Sequence, residues 1–132
     1  MKTFIFYVFS VFLISGCINS PESRLKDIDF EKIGKAVDET DPEKSKELLA
    51  EQIESVGKLC ESFKVPKIEM RHLEAVDVYR RLEFMMALGG FQKIREGLDN
   101  GTITNISDKD REEIKYVCEK LVFDAGNILK GQ

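Results

Sequence analysis

The chain has 132 residues, one histidine, no tryptophan and a formal net charge of −4. That length bounds one modest domain, and the acidic balance, with no basic stripe interleaved with aromatics, argues against nucleic acid as a partner. Charges of both signs are mixed along the chain rather than gathered in blocks, which is the pattern of solvated helix faces.

At the start, Lys2 is followed by an apolar run from Phe4 to Ile14 that only Ser10 interrupts. The run is shorter than the ~20 residues that span a bilayer, and it has the form of a removable secretory leader. Leu13-Ile14-Ser15-Gly16-Cys17 then sets small residues directly before a cysteine. This stretch resembles the lipobox of prokaryotic lipoproteins, in which an aliphatic residue, a small residue and Gly or Ala precede the cysteine. The resemblance implies cleavage between Gly16 and Cys17, diacylglycerol on Cys17, and a mature chain held on the extracytoplasmic face of a cell membrane or envelope. Two acyl chains anchor stably where one is marginal. A buried N-terminal helix and a secreted chain cut without lipid are the other readings. The resemblance covers residues 1–17 alone and defines a processing class, not a fold or an activity.

Three stretches follow: a signal peptide over 1–16, a lipidated N-terminus and linker over 17–23, and a helical domain over 24–132. The mature part has 116 residues and, without Lys2, a balance of −5. Leu, Ile and Val build most of its core, enough for a small bundle rather than a deep enzyme cleft. The linker spans roughly 20 Å at most, and no polybasic run adds adhesion to anionic lipid.

The spacing of apolar residues predicts four helical stretches in an all-α, antiparallel bundle. The first runs from about Pro21 to Val37, with Leu25, Ile28, Ile33 and Ala36 on one side and Phe30 off it. The second starts at Asp41-Pro42, a cap followed by proline at the first helical position, and ends at Val65-Pro66. The third runs from near Lys67 to Leu88, with a wide apolar surface toward its end, a break at Gly89-Gly90 and a continuation through Leu98. Residues 102–106 read as an extended connector. Ser107 caps the fourth stretch, whose stripe of Ile114, Val117, Cys118, Leu121, Val122, Ala125, Ile128 and Leu129 is the most regular in the chain.

Cys60 and Cys118 remain once Cys17 is given to lipid. Outside the cytoplasm an even pair reads as a disulfide, with two buried thiols as the plainer alternative. Glu69 and His72 share a helical face at the spacing used in di-iron bundles, but one histidine cannot supply the second such pair, and a surface Glu-His pair is expected. Met70, Met85 and Met86 are soft ligands in principle and read as core residues. No metal, no cofactor and no catalytic set are expected: Glu51, Glu54, Glu112 and Glu113 read as solvated carboxylates. Arg80 and Arg81 are expected to pair along their own helix with Asp77 and Glu83. Asn100-Gly101-Thr102 and Asn105-Ile106-Ser107 match the glycosylation acceptor pattern and read more simply as turn and cap chemistry.

These features point to a membrane-anchored, non-enzymatic interaction module with an envelope or surface protein as partner. Tyr79, Phe84, Met85, Met86 and Phe91 are the expected contact patch, with the Gly89-Gly90 break exposing Phe91. The alternative is a small-ligand or metal-binding lipoprotein that uses the Tyr79, Phe84, Met85 and Met86 face as a pocket between helices.

Overall fold

A computed structural model describes residues 20–131, so the leader, the Gly16–Cys17 cleavage site and the Cys17 attachment site lie outside the described residues. Every regular element among the described residues is an α-helix. They are α1 (Pro21–Lys26), α2 (Phe30–Asp38), α3 (Pro42–Ala50), α4 (Ile53–Glu61), α5 (Met70–Ala75), α6 (Val78–Gly89), α7 (Gln92–Asp99) and α8 (Asp108–Lys130). The four helical stretches are present, but three of them are broken and only α8 is continuous.

The breaks have local causes. The Ser20 hydroxyl accepts the Ser23 N–H and Pro21 takes the first turn, so α1 begins inside the expected linker. Residues 21–23 are helical, in keeping with the helix start expected near Pro21. Asp29 then starts a new helix by accepting the N–H groups of Glu31 and Lys32. Restarting at Asp29 resets the helical phase, and this is why Phe30 is buried with Leu25, Ile28 and Ile33 although one continuous helix would carry it off their side. Asp41 accepts the Glu43 N–H at the start of α3, with Pro42 in the first turn.

Residues 65–69 carry no regular secondary structure, so the third stretch starts at Met70 rather than near Lys67. This segment lies directly on α4: a Cβ on Gly57 would stand 2.8 Å from the Ile68 carbonyl oxygen. Only a residue without a side chain permits that approach. The Asp77 side chain then accepts the Arg80 N–H and starts α6.

Cys60 and Cys118 are fully buried and joined by a disulfide that fixes α4 to α8, with a Cα–Cα distance of 5.7 Å. Around it, Leu59, Ile68, Leu73, Leu88 and Ile114 are among the fully buried side chains of one core. Helix α8 packs on α4, α5 and α6, while α1 packs on α4 and α7, and α2 on α3 and α6. The Glu22 carboxylate accepts from Arg111 at 2.6 Å and from the Ile106 N–H at 3.1 Å, which ties the start of α1 to the start of α8.

Buried polar groups sit where helices break. Gln52, between α3 and α4, accepts the Asp29 N–H at 2.8 Å, and Arg95 donates to the Ile28 carbonyl of the same joint. Replacing Gln52 with Leu strands the Asp29 N–H and should lower stability by about 1–3 kcal/mol. A urea titration checks this as a fall in midpoint at unchanged slope. The Cys60–Cys118 bridge closes a loop with a sequence separation of 58. The double variant Cys60→Ala, Cys118→Ala should lose about 4 kcal/mol in the chain-entropy account, read in the same titration.

Candidate functional site

Among the described residues, the large apolar side chains left outside the core are Val78, Tyr79, Met86, Tyr116 and Phe123. Their placement follows from helical phase. On α8, Ile114, Cys118, Leu121 and Ala125 face inward, and Tyr116 and Phe123, seven residues apart, fall on the opposite side. Tyr116 is 65% and Phe123 68% exposed. On α6, Phe84, Met85 and Leu88 are buried, so Tyr79 and Met86 point away.

The expected patch of Tyr79, Phe84, Met85, Met86 and Phe91 is therefore not one surface. Phe84, Met85 and Phe91 belong to the core, and Tyr79 and Met86 are exposed. The Gly89-Gly90 break does not release Phe91: it lets the chain turn, and Phe91 folds inward at the start of α7. The pocket expected over Tyr79 and Met86 is replaced by a groove between α6 and α8, floored by Phe84, Ala87, Val117 and Leu121 and edged by Tyr116. Its volume is about 110 Å³, well below the roughly 300–1,000 Å³ of small-molecule sites.

Two ion pairs bridge this groove. Arg80 reaches Asp124 at 3.4 Å and Lys120 reaches Glu83 at 2.6 Å. The Glu83 hydrogen bond, helped by its charge, raises the Lys120 ammonium above its ordinary range. The expected pairing of Arg80 and Arg81 within α6 gives way to these contacts across helices. Asp77 serves as the α6 cap, and Arg81 is buried, with its Nε donating to the Leu73 carbonyl at 3.2 Å.

Tyr116 also edges two wider depressions. One runs along Met86, Gly90 and Ile94 to Asp110, Glu112 and Glu113. The other lies beside Val65, Pro66, Val122 and Phe123. Together they make a continuous apolar seam along α8. Tyr116 and Phe123 were legible in the sequence as large aromatics that fall between the positions of the α8 stripe; the wider apolar surface of the third stretch drew attention away from them.

The remaining candidates resolve into structure. His72 is buried, not on the surface, and its Nδ1 accepts the Glu69 N–H at 2.9 Å, closing the start of α5. Among the described residues no group of three His, Cys, Asp or Glu side chains is placed to hold a metal ion. Glu51 pairs with Lys32 and Glu54 with Lys58. The Asn100 carboxamide oxygen accepts the Thr102 N–H at 2.9 Å in a turn, and Ser107 caps α8. No described helix is long and apolar enough to cross a membrane. No family model, curated protein or solved structure matches the chain.

Burial, followed by the nearby Arg71 charge, pushes His72 below its ordinary value of 6.5, against a smaller opposing pull from Glu69. The Glu69 N–H contact also needs an unprotonated Nδ1. The folded state thus binds fewer protons than the unfolded state once pH drops toward 6.5, so stability is full above that value and is lost as pH falls through the depressed folded value. Urea midpoints measured from pH 8 to pH 5 should show this decline, and His72→Gln should flatten the part that begins near pH 6.5.

Proposed function

We propose that this protein is a lipid-tethered, non-enzymatic interaction module on the extracytoplasmic side of a membrane, which contacts another envelope protein through the outer face of α8. The observation that carries the interaction half is the exposure of Tyr116 and Phe123 along one apolar seam. Aromatic side chains of this size are rich in binding energy when a partner covers them. The α6–α8 groove is small, about 110 Å³, and the wider depressions beside it, about 780 and 610 Å³, are shallow and open to solvent, which supports a protein contact over the small-ligand alternative.

The non-enzymatic half is supported by how the reactive groups are used. The sole imidazole closes a helix start, and both described cysteines are tied in a disulfide. Neither provides a base or a nucleophile in a cleft.

The tether half rests on the sequence from Lys2 to Cys17. With Cys17 acylated, Ser20 is three residue steps away, a reach of roughly 10 Å at most. The first turn of α1 then stays beside the membrane, and the Glu22–Arg111 contact brings the start of α8 with it. From Arg111, Tyr116 lies about 8 Å and Phe123 about 18 Å along the helix, which leaves the seam open to a neighbour at the membrane surface.

Mass spectrometry of native material should show a chain beginning at Cys17 with diacylglycerol, and Cys17→Ser should move the protein to the soluble fraction. An intact leader with an unmodified Cys17 thiol overturns the tether. Native cross-linking that leaves the protein entirely unlinked overturns the interaction.

A further inference from the structure

We infer that the seam along α6 and α8 receives an amphipathic helix from a second protein, apolar along one face and basic at one end. This deepens the interaction-module reading and rests on it.

Shape selects a helix. The seam lies between and beside helices, whose backbone groups are already hydrogen-bonded, so it offers no edge to which an extended strand could add. A helix laid in the α6–α8 groove packs its side-chain ridges against theirs. From Asp110 to Asp124 the seam runs about 21 Å, roughly four helical turns. Tyr116 and Phe123 stand about 10 Å apart on it, matching apolar residues one heptad apart on the incoming helix.

Charge sets its chemistry and direction. Toward the Asp124 end of the seam, Arg80 with Asp124 and Lys120 with Glu83 are mutually neutralised. At the α8 start, Asp110, Glu112 and Glu113 edge the depression with Lys93 as its one cation. Among the described residues none of these three carboxylates takes part in an ion pair within 4 Å. Lys or Arg at one end of the incoming helix would meet this unpaired negative rim while its apolar face covers Tyr116 and Phe123. The rim also lies on the Glu22 side of α8, so the basic end points toward the tether.

The same charges disfavour two other occupants. A second copy brings an identical acidic rim, and in a parallel arrangement the two rims meet. An anionic bilayer surface would be repelled by Asp110, Glu112 and Glu113.

The test uses the full chain in its own membranes, with the photo-reactive residue benzoylphenylalanine in place of Tyr116. The expected product is an adduct with a different protein, and sequencing of its linked peptide should place the cross-link in a stretch with apolar residues at helical spacing and Lys or Arg at one end. The double variant Glu112→Lys, Glu113→Lys should cut the yield roughly tenfold, while far-ultraviolet circular dichroism remains that of the folded protein. Glu112→Gln with Glu113→Gln should reduce the yield in the same direction without placing new positive charge at the α8 start. Benzoylphenylalanine in place of Lys35, on α2 and outside the seam, should give none of this adduct. An adduct with lipid alone, an adduct with a second copy, an acidic or non-amphipathic linked peptide, equal yield from the Lys35 position, or no adduct each overturns the inference. Fractionation separates the two claims: the expected adduct on a chain found only in the soluble fraction sinks the tether and leaves the seam standing, and a membrane-held chain without an adduct does the reverse.

Discussion

Short helices have more ends per residue than long ones, and each end leaves backbone donors or acceptors without a partner inside the helix. A fold whose α1 to α7 are all of 12 residues or fewer must satisfy those groups in its interior. Among the described residues four polar side chains are buried, and each does so. Ser45 donates to the Ala36 carbonyl in the last turn of α2, and Arg81 donates to the Leu73 carbonyl in the last turn of α5. Gln52 accepts the N–H of Asp29, where α2 begins, and His72 accepts the N–H of Glu69, where α5 begins. No buried side-chain nitrogen or oxygen among the described residues lacks a partner. The polar interior is thus a consequence of broken helices, and Ser45 and Arg81 are the costlier to replace, because their carbonyl partners would be left buried and unpaired, while the Asp29 and Glu69 N–H groups are only partly buried.

Set against these pieces, α8 is a 23-residue strut. Its inner stripe packs on α5 and α6, the disulfide binds it covalently to α4, and Arg111 ties its first turns to α1. Those attachments lie on its inner face or near its start. The exposed pairs along its length, such as Lys115 with Glu119 at 3.7 Å, contribute little by comparison. What positions Tyr116 and Phe123 is therefore the buried side of the same helix: once Ile114, Cys118 and Leu121 are fixed, the pitch of the helix dictates where the aromatics point.

How much of this was legible depended on the reach of each signal. Starts written in adjacent residues were readable, as at Asp41-Pro42 and Ser107, because a cap and its first turn are local chemistry. The all-α class followed from apolar spacing for the same reason. The joints at residues 27–29 and 51–52 were not readable, because they are stabilised by each other: Gln52 reaches Asp29 across 23 positions. His72 looked like a surface residue for the same reason, since nothing next to it announces that its ring is turned in to close α5. The contact patch was misplaced by treating residues 67–88 as one helix. A break at Val76-Asp77 shifts the phase, sends Phe84 and Met85 inward and leaves Met86 outside.

The outer face of α8 stands apart from this interdependence. Substituting a core residue disturbs helices that rely on one another's side chains, whereas Tyr116 and Phe123 stabilise no joint, cap no helix and fill no part of the core. Exposed apolar residues scattered singly need no explanation, but two large aromatics aligned on one face and flanked by apolar depressions form a contiguous patch of the kind that marks interaction sites. A fold secured from within by a disulfide and satisfied helix ends can carry such a patch without relying on it for its core. The buried side of α8 and the satisfied helix ends thus account for stability, and its outer face, which takes no part in either, is where the proposed recognition is placed.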